Sequence, residues 1–161
     1  MPKLDTIKTK GVSPNEFIRT IKLEKYRKMF KRGVEGYKIK EEVLEQISEI
    51  TKTKKFAIRV FAADWCKDTR KALPALSIIM SRIPEIDLKI LGGIKNVPFD
   101  PNIRWKVPPS PPEVDTFDIR AIPTIIIFDK NGEEVGRMVE HPEATETIEE
   151  ELLYHLQMLQ E

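Results

Sequence analysis

From residue 122 to 128 the chain reads Ile-Pro-Thr-Ile-Ile-Ile-Phe, almost without polar side chains. Successive side chains of a strand point to opposite faces, so a segment this apolar must be covered on both. That requires a central strand in a sheet lying between two layers. A chain of 161 residues with 40% apolar composition has the material for one such domain with a full core. Asn131-Gly132 follows at once and marks a tight hairpin into a second strand over 134–139.

The segments upstream supply the rest of the sheet and its cover. Lys55 to Ala62 (KFAIRVFA) is short, β-branched and aromatic, and reads as a strand. It runs through Trp65-Cys66-Lys67-Asp68 into a helix to about Ser81, which Pro74 should kink. Ile86 to Leu91 is the next strand, closed by Gly92-Gly93. Two strands flanking a helix predict a parallel crossover. Ahead of them, Ser13-Pro14-Asn15-Glu16 has the form of a helix start, with apolar positions continuing to Phe30 and glycines at 33 and 36. A further helix is expected over Lys40–Ile50, and a last one from near Pro142 to Leu159. Residues 96–115 hold six of the chain's 12 prolines, which excludes a regular helix there. Phe99, Ile103, Trp105 and Val107 would anchor this stretch as an ordered lid or rim. Trp105 reads as a core plug.

Charge divides the chain. Residues 1–40 carry 12 Lys/Arg against 4 Asp/Glu, whereas the other 121 carry 15 against 22. A basic front of this kind either faces the acidic remainder of its own body or meets an anionic partner; nucleic acid is the lesser alternative. No apolar run reaches the length of a membrane span, and MPKLDTIKTK lacks the apolar core of a signal peptide. With Cys66 as the single cysteine, no intramolecular disulfide can form, and a cytoplasmic location is expected. Cys66, His141 and His155 do not stand at metal-ligand spacing, so neither a metal nor a cofactor is expected.

Three landmarks now carry a resemblance. Phe61-Ala62-Ala63-Asp64-Trp65-Cys66 is a strand running into Trp-Cys at a helix start, Pro74 follows eight residues after the cysteine, and Ile122-Pro123-Thr124 opens the buried strand. In this order the chain resembles the thioredoxin-like superfamily over residues 40–161, most closely a subgroup with Trp-Cys-x-Asp in place of Trp-Cys-Gly-Pro-Cys and with extra N-terminal helices. The resemblance implies an α/β three-layer fold: a mixed central sheet, helices on both faces, a basic helical extension at 1–39 and a Pro-rich insertion at 96–115. It also implies a cis bond before Pro123, set against Cys66. Ile122 would offer its backbone to an extended substrate, with Trp65 and Ile122 as an apolar rim.

The departures from that family decide the chemistry. Thr69 stands where the second cysteine would be, Val60 replaces the usual buried acid, and Lys67-Asp68 replaces Gly-Pro. A dithiol cycle within one chain is therefore impossible. Cys66 at a helix N-terminus is favoured as thiolate, with Lys67 acting the same way, Asp68 and Asp64 opposing, and the Thr69 hydroxyl within reach of the sulfur. Two functions follow. In one, Cys66 exchanges with a protein disulfide or a low-molecular-weight thiol, or serves as a redox sensor. In the other, the fold is a non-catalytic module that binds a protein partner and Cys66 is a small packed residue. A one-cysteine peroxidase is a weaker third reading, because Ala62-Ala63-Asp64 does not match the peroxiredoxin signature.

Overall fold

The computed structural model describes residues 1–95 and 105–160. After a 3-10 turn at Leu4–Thr6 come α1 (Pro14–Arg19), α2 (Glu24–Gly36), α3 (Glu41–Thr53), β1 (Ala57–Phe61), α4 (Lys67–Arg82), β2 (Asp87–Leu91), α5 (Glu113–Thr116), β3 (Thr124–Phe128), β4 (Glu134–Val139) and α6 (Ile148–Leu156). The sheet order is β2-β1-β3-β4. β1 pairs parallel with β2 and antiparallel with β3, and β3 pairs antiparallel with β4. This is the mixed sheet with helices on both sides that the sequence predicts. Every residue of β3 is buried, as a central strand requires.

Strand alternation sorts the core into two clusters. Ile58 and Val60 of β1 and Ile125 and Ile127 of β3 face a large aliphatic cluster fed by α1, α2, α3, α4 and α6. Ala57 and Phe61 of β1 and Ile126 and Phe128 of β3 face a smaller, aromatic cluster completed by Trp105, Val114, Phe117, Ile119 and Ile122. The first is the product of amphipathic helices. The second is built from α5 and irregular chain.

Residues 1–39 are part of this packing. Phe17, Ile18, Ile21 and Phe30 lie in the large cluster, with the Phe17 and Phe30 rings edge to face at 6.1 Å. Val12 bridges Ile90 with both backbone bonds, prolonging the sheet beyond β2. Glycines permit that contact: a Cβ at Gly11 would lie 2.6 Å from Lys89 Cβ, and one at Gly92 would lie 2.8 Å from the Phe17 ring.

Four boundaries differ from the sequence expectation, each for a local reason. The helix begun at Ser13, whose hydroxyl accepts from Glu16 N–H at 3.1 Å, stops at Arg19. There the Thr20 side chain bonds back to the Glu16 carbonyl, and a second helix starts at Glu24. Helix α6 begins at Ile148 instead of Pro142, because the N–H groups of Glu143, Ala144 and Thr145 donate to the buried Glu151 carboxylate and Thr147 caps the helix. The β3–β4 connection is wider than a two-residue turn: Asp129 accepts from the N–H groups of Asn131 and Glu133, Gly132 takes φ +79°, and the register shifts at Ile127/Phe128. The Pro-rich stretch does hold one short helix, α5, begun at Pro112. The expected anchors Phe99 and Ile103 lie outside the described residues.

Candidate functional site

Strand β1 ends at Phe61, and the chain turns through Ala62–Trp65 to present Cys66 as the N-cap of α4. The cysteine has extended backbone angles (φ −87°, ψ 123°), and its carbonyl accepts the Arg70 N–H at 3.2 Å, the first bond of the helix. The side chain itself makes no capping bond, so the sulfur sits at the positive end of a 16-residue helix with its orientation set by another partner. That partner is the Ile122 carbonyl, to which the Cys66 thiol donates at 3.4 Å. The Ile122–Pro123 peptide bond is cis. Residues separated by more than fifty positions are thereby joined at one end of the sheet.

The neighbours of Cys66 divide into packed and exposed groups. Thr69 is fully buried, and its hydroxyl oxygen accepts the Ala63 N–H at 3.4 Å; no described hydrogen bond joins it to the sulfur. Lys67 is exposed and Asp68 half-buried on the first turn. Trp65 is half-buried, its indole N–H donating to the Ile94 carbonyl at 3.0 Å and its ring stacked on Trp105 at 6.0 Å. Ile122 is only 4% exposed. Its side chain belongs to the aromatic cluster, so the apolar rim expected of Trp65 and Ile122 together is left to Trp65. Cys66 itself is 9% exposed.

Pro74 lies inside α4, packed against Gly33 of α2, so the kink position is also where the N-terminal helices cross. Trp105 is buried against Trp65, which makes it the plug the sequence suggests. Sequence reasoning did not single out Ile94, whose carbonyl fixes the Trp65 ring; no side-chain signal marks a carbonyl. Among the described residues no three of His, Cys, Asp and Glu are placed to hold a metal ion. No described helix is long and apolar enough to cross a membrane.

The site thus combines a sheet of order β2-β1-β3-β4, a lone cysteine capping the helix after β1, and a proline ahead of β3 beside it. A thioredoxin family model matches residues 11–96. The chain belongs to the thioredoxin family. The match begins within the N-terminal segment, well ahead of β1. Among solved structures, a protein of unknown function from Pseudomonas aeruginosa is 19% identical, covering 90% of this chain and 81% of its own, with a TM-score of 0.59. An HIV epitope scaffold is 18% identical, covering 98% of this chain and 91% of its own, with a TM-score of 0.64. At these identities the likeness is one of fold. No curated protein matches the chain. Membership of this family supports a function related to thiol–disulfide chemistry or to the thioredoxin fold as a scaffold.

Proposed function

We propose that this chain is a monothiol member of the thioredoxin family, acting through Cys66. The observation that carries the reading is the placement of the only sulfhydryl at the N-cap of α4, against the carbonyl that precedes Pro123. In the reaction the Cys66 thiol loses its proton to solvent and the thiolate attacks one sulfur of a substrate disulfide. The substrate S–S bond breaks, a Cys66–substrate disulfide forms, and the second substrate sulfur leaves as a thiolate that takes up a proton. Thr69 cannot resolve the mixed disulfide, so a second thiol, a low-molecular-weight one or one on another protein, attacks the substrate sulfur and releases Cys66. The net result of the two steps is exchange: one substrate sulfur leaves as a thiol, the other ends in a disulfide with the resolving thiol, and Cys66 is regenerated with the number of disulfide bonds unchanged. Trp65 and the backbone at Ile122–Pro123 would line the approach, and residues 1–39 would serve as a basic extension of the 40–161 domain.

One observation favours a second reading, a non-catalytic binding module. The bond from Sγ to the Ile122 carbonyl exists only while the sulfur is protonated, and Cys66 shows little surface. The two readings separate by covalent capture. Wild-type chain should retain a target through a link released by dithiothreitol, and Cys66→Ser should retain none. Equal retention by both, unaffected by reductant, would establish the binding module.

A further inference from the structure

A second feature adjoins the cysteine. The segment 9–22 packs across the exit of β2 and leaves a cleft of about 490 Å³ between itself, residues 92–95 and the turn that carries Asp64 and Trp65. Asp64 and Trp65 immediately precede Cys66, so one rim of the cleft is the turn that presents the sulfur. Its floor is apolar, with Phe17, Ile21 and Ile94. Its edges carry Lys10, Lys22 and Lys95, all exposed and none in an ion pair among the described residues. Among the described residues of the lining Asp64 is the one carboxylate, and it too is without an ion pair.

The basic surface continues past this cleft. Lys10 also lines an adjoining cleft of about 330 Å³ with Lys8, Arg59 and Lys89. Only Arg59 of these is neutralised, by Asp87 at 2.9 Å. Among the described residues, no carboxylate of the acidic half forms an ion pair with the lysines of this face. Among the described residues, ion pairs from the first 40 residues to the acidic half are Lys3–Glu133 and Lys40–Glu150, both elsewhere. Glu113, which does reach the tail, spends its oxygens on the Lys8 and Thr9 N–H groups and the Thr9 hydroxyl, not on a lysine ammonium.

We infer that this cleft holds an acidic, partly apolar segment of a substrate polypeptide next to the disulfide presented to Cys66. The inference rests on the monothiol reading and names its substrate class. An acidic peptide has the charge that three unpaired ammonium groups attract and the apolar side chains that the floor accepts, and exposed contacts of this kind weaken in salt.

The test uses the full chain carrying Cys66→Ser, so that binding is read without thiol chemistry. Fluorescence anisotropy is measured with a labelled peptide rich in Glu with one aromatic residue, and with its Lys-rich counterpart. The acidic peptide should bind about tenfold more tightly at low salt, the effect of two or three exposed ion pairs. The preference should vanish near ~0.5 M salt, where the Debye length falls to about 4 Å. Combined Lys10→Glu, Lys22→Glu and Lys95→Glu should abolish it. Lys25→Glu, Lys31→Glu and Lys38→Glu, exposed positions outside the cleft, change net charge equally and should cost less than about twofold, with thermal melts confirming that both variants fold. Equal binding of the two peptides, or equal loss in the two triple variants, overturns the inference. Tighter binding of a single-stranded oligonucleotide than of the acidic peptide overturns the choice of partner. Disulfide-bearing versions of the same peptides, given to the wild-type chain, keep the two claims apart. Exchange at equal rates with both leaves the monothiol reading standing and the cleft refuted. No exchange, with acidic binding intact in Cys66→Ser, does the reverse.

Discussion

The two faces of the sheet are built on different principles. One is covered by α1, α2, α3, α4 and α6, whose aliphatic side chains meet Ile58, Val60, Ile125 and Ile127 in a continuous cluster. The other is covered, among the described residues, by one four-residue helix and loops, and depends on aromatic rings: Phe117 against Phe61 and Phe128, and Trp105 against Trp65. Helices bury a stripe by periodicity and need little else. Irregular chain must have its backbone satisfied piece by piece, which on this side is done by a buried carboxylate. Glu113, 3% exposed, gathers the Lys8 and Thr9 N–H groups at 2.9 and 3.1 Å, fastening the N-terminal tail to α5. The cysteine sits where the faces meet, on the helix of the first and against the Ile122 carbonyl of the second.

If the faces divide labour in this way, deletions in the first should cost stability and leave the sulfur alone. Leu76→Ala, in the middle of α4 and fully buried, should lower the unfolding free energy by about 2–5 kcal/mol in urea titrations. Maleimide labelling of Cys66 under native conditions should keep its wild-type rate. Trp105→Ala should also destabilise, by about 3 kcal/mol, but here the labelling rate should rise several-fold, because Trp65 loses the ring that holds it. Equal labelling rates in the two variants would erase the distinction between the faces.

Glu113→Gln sharpens the comparison through pH. Burial pushes this carboxyl up, but the Thr9 hydroxyl and the Lys8 and Thr9 N–H groups outweigh burial and hold it below the usual carboxylate range. A group depressed in the folded state contributes stability above its unfolded pKa, and the contribution is lost as pH falls through the folded value. The variant should therefore be weaker by about 1–3 kcal/mol at neutral pH. Its deficit should shrink as the solution is made acidic, and denaturation across pH 7 to 3 (roughly the span of carboxylate titration) reads it. The smallest effect belongs to a helix of the first face: Thr147→Ala, which removes the bond to Glu150 N–H at 3.2 Å, should cost about 1 kcal/mol without changing labelling of Cys66.

The same contrast explains how much of the molecule is legible in the sequence. Elements of the first face follow from periodicity and caps: the Ser13 cap, the KFAIRVFA strand and the apolar β3 all sit within a few residues of expectation. The helix breaks that periodicity does not show, at Thr20 and before Ile148, come from side chains competing for backbone groups, Thr20 locally and Glu151 from within the next helix. A buried glutamate in an acidic run looks like any solvated one in sequence. On the second face Cys66, Pro123 and Trp65 stood out as motif residues. The resemblance also implies that a cis Pro123 lies against Cys66; what it does not supply is the hydrogen bonds that fix the Cys66 and Trp65 side chains, because they run to the carbonyls of Ile122 and Ile94, and carbonyls leave no trace in a residue pattern.

Everything proposed for this chain requires that Cys66 react in the folded state. The most direct test is adduct formation with an oxidised low-molecular-weight disulfide, followed by intact mass at rising, sub-denaturing urea. One thiol should add at Cys66 in the absence of urea, at a rate insensitive to urea until unfolding begins, and dithiothreitol should remove it. An adduct that forms only in proportion to the unfolded fraction would mean that the sulfur is sealed in the native state, and would contradict the proposal.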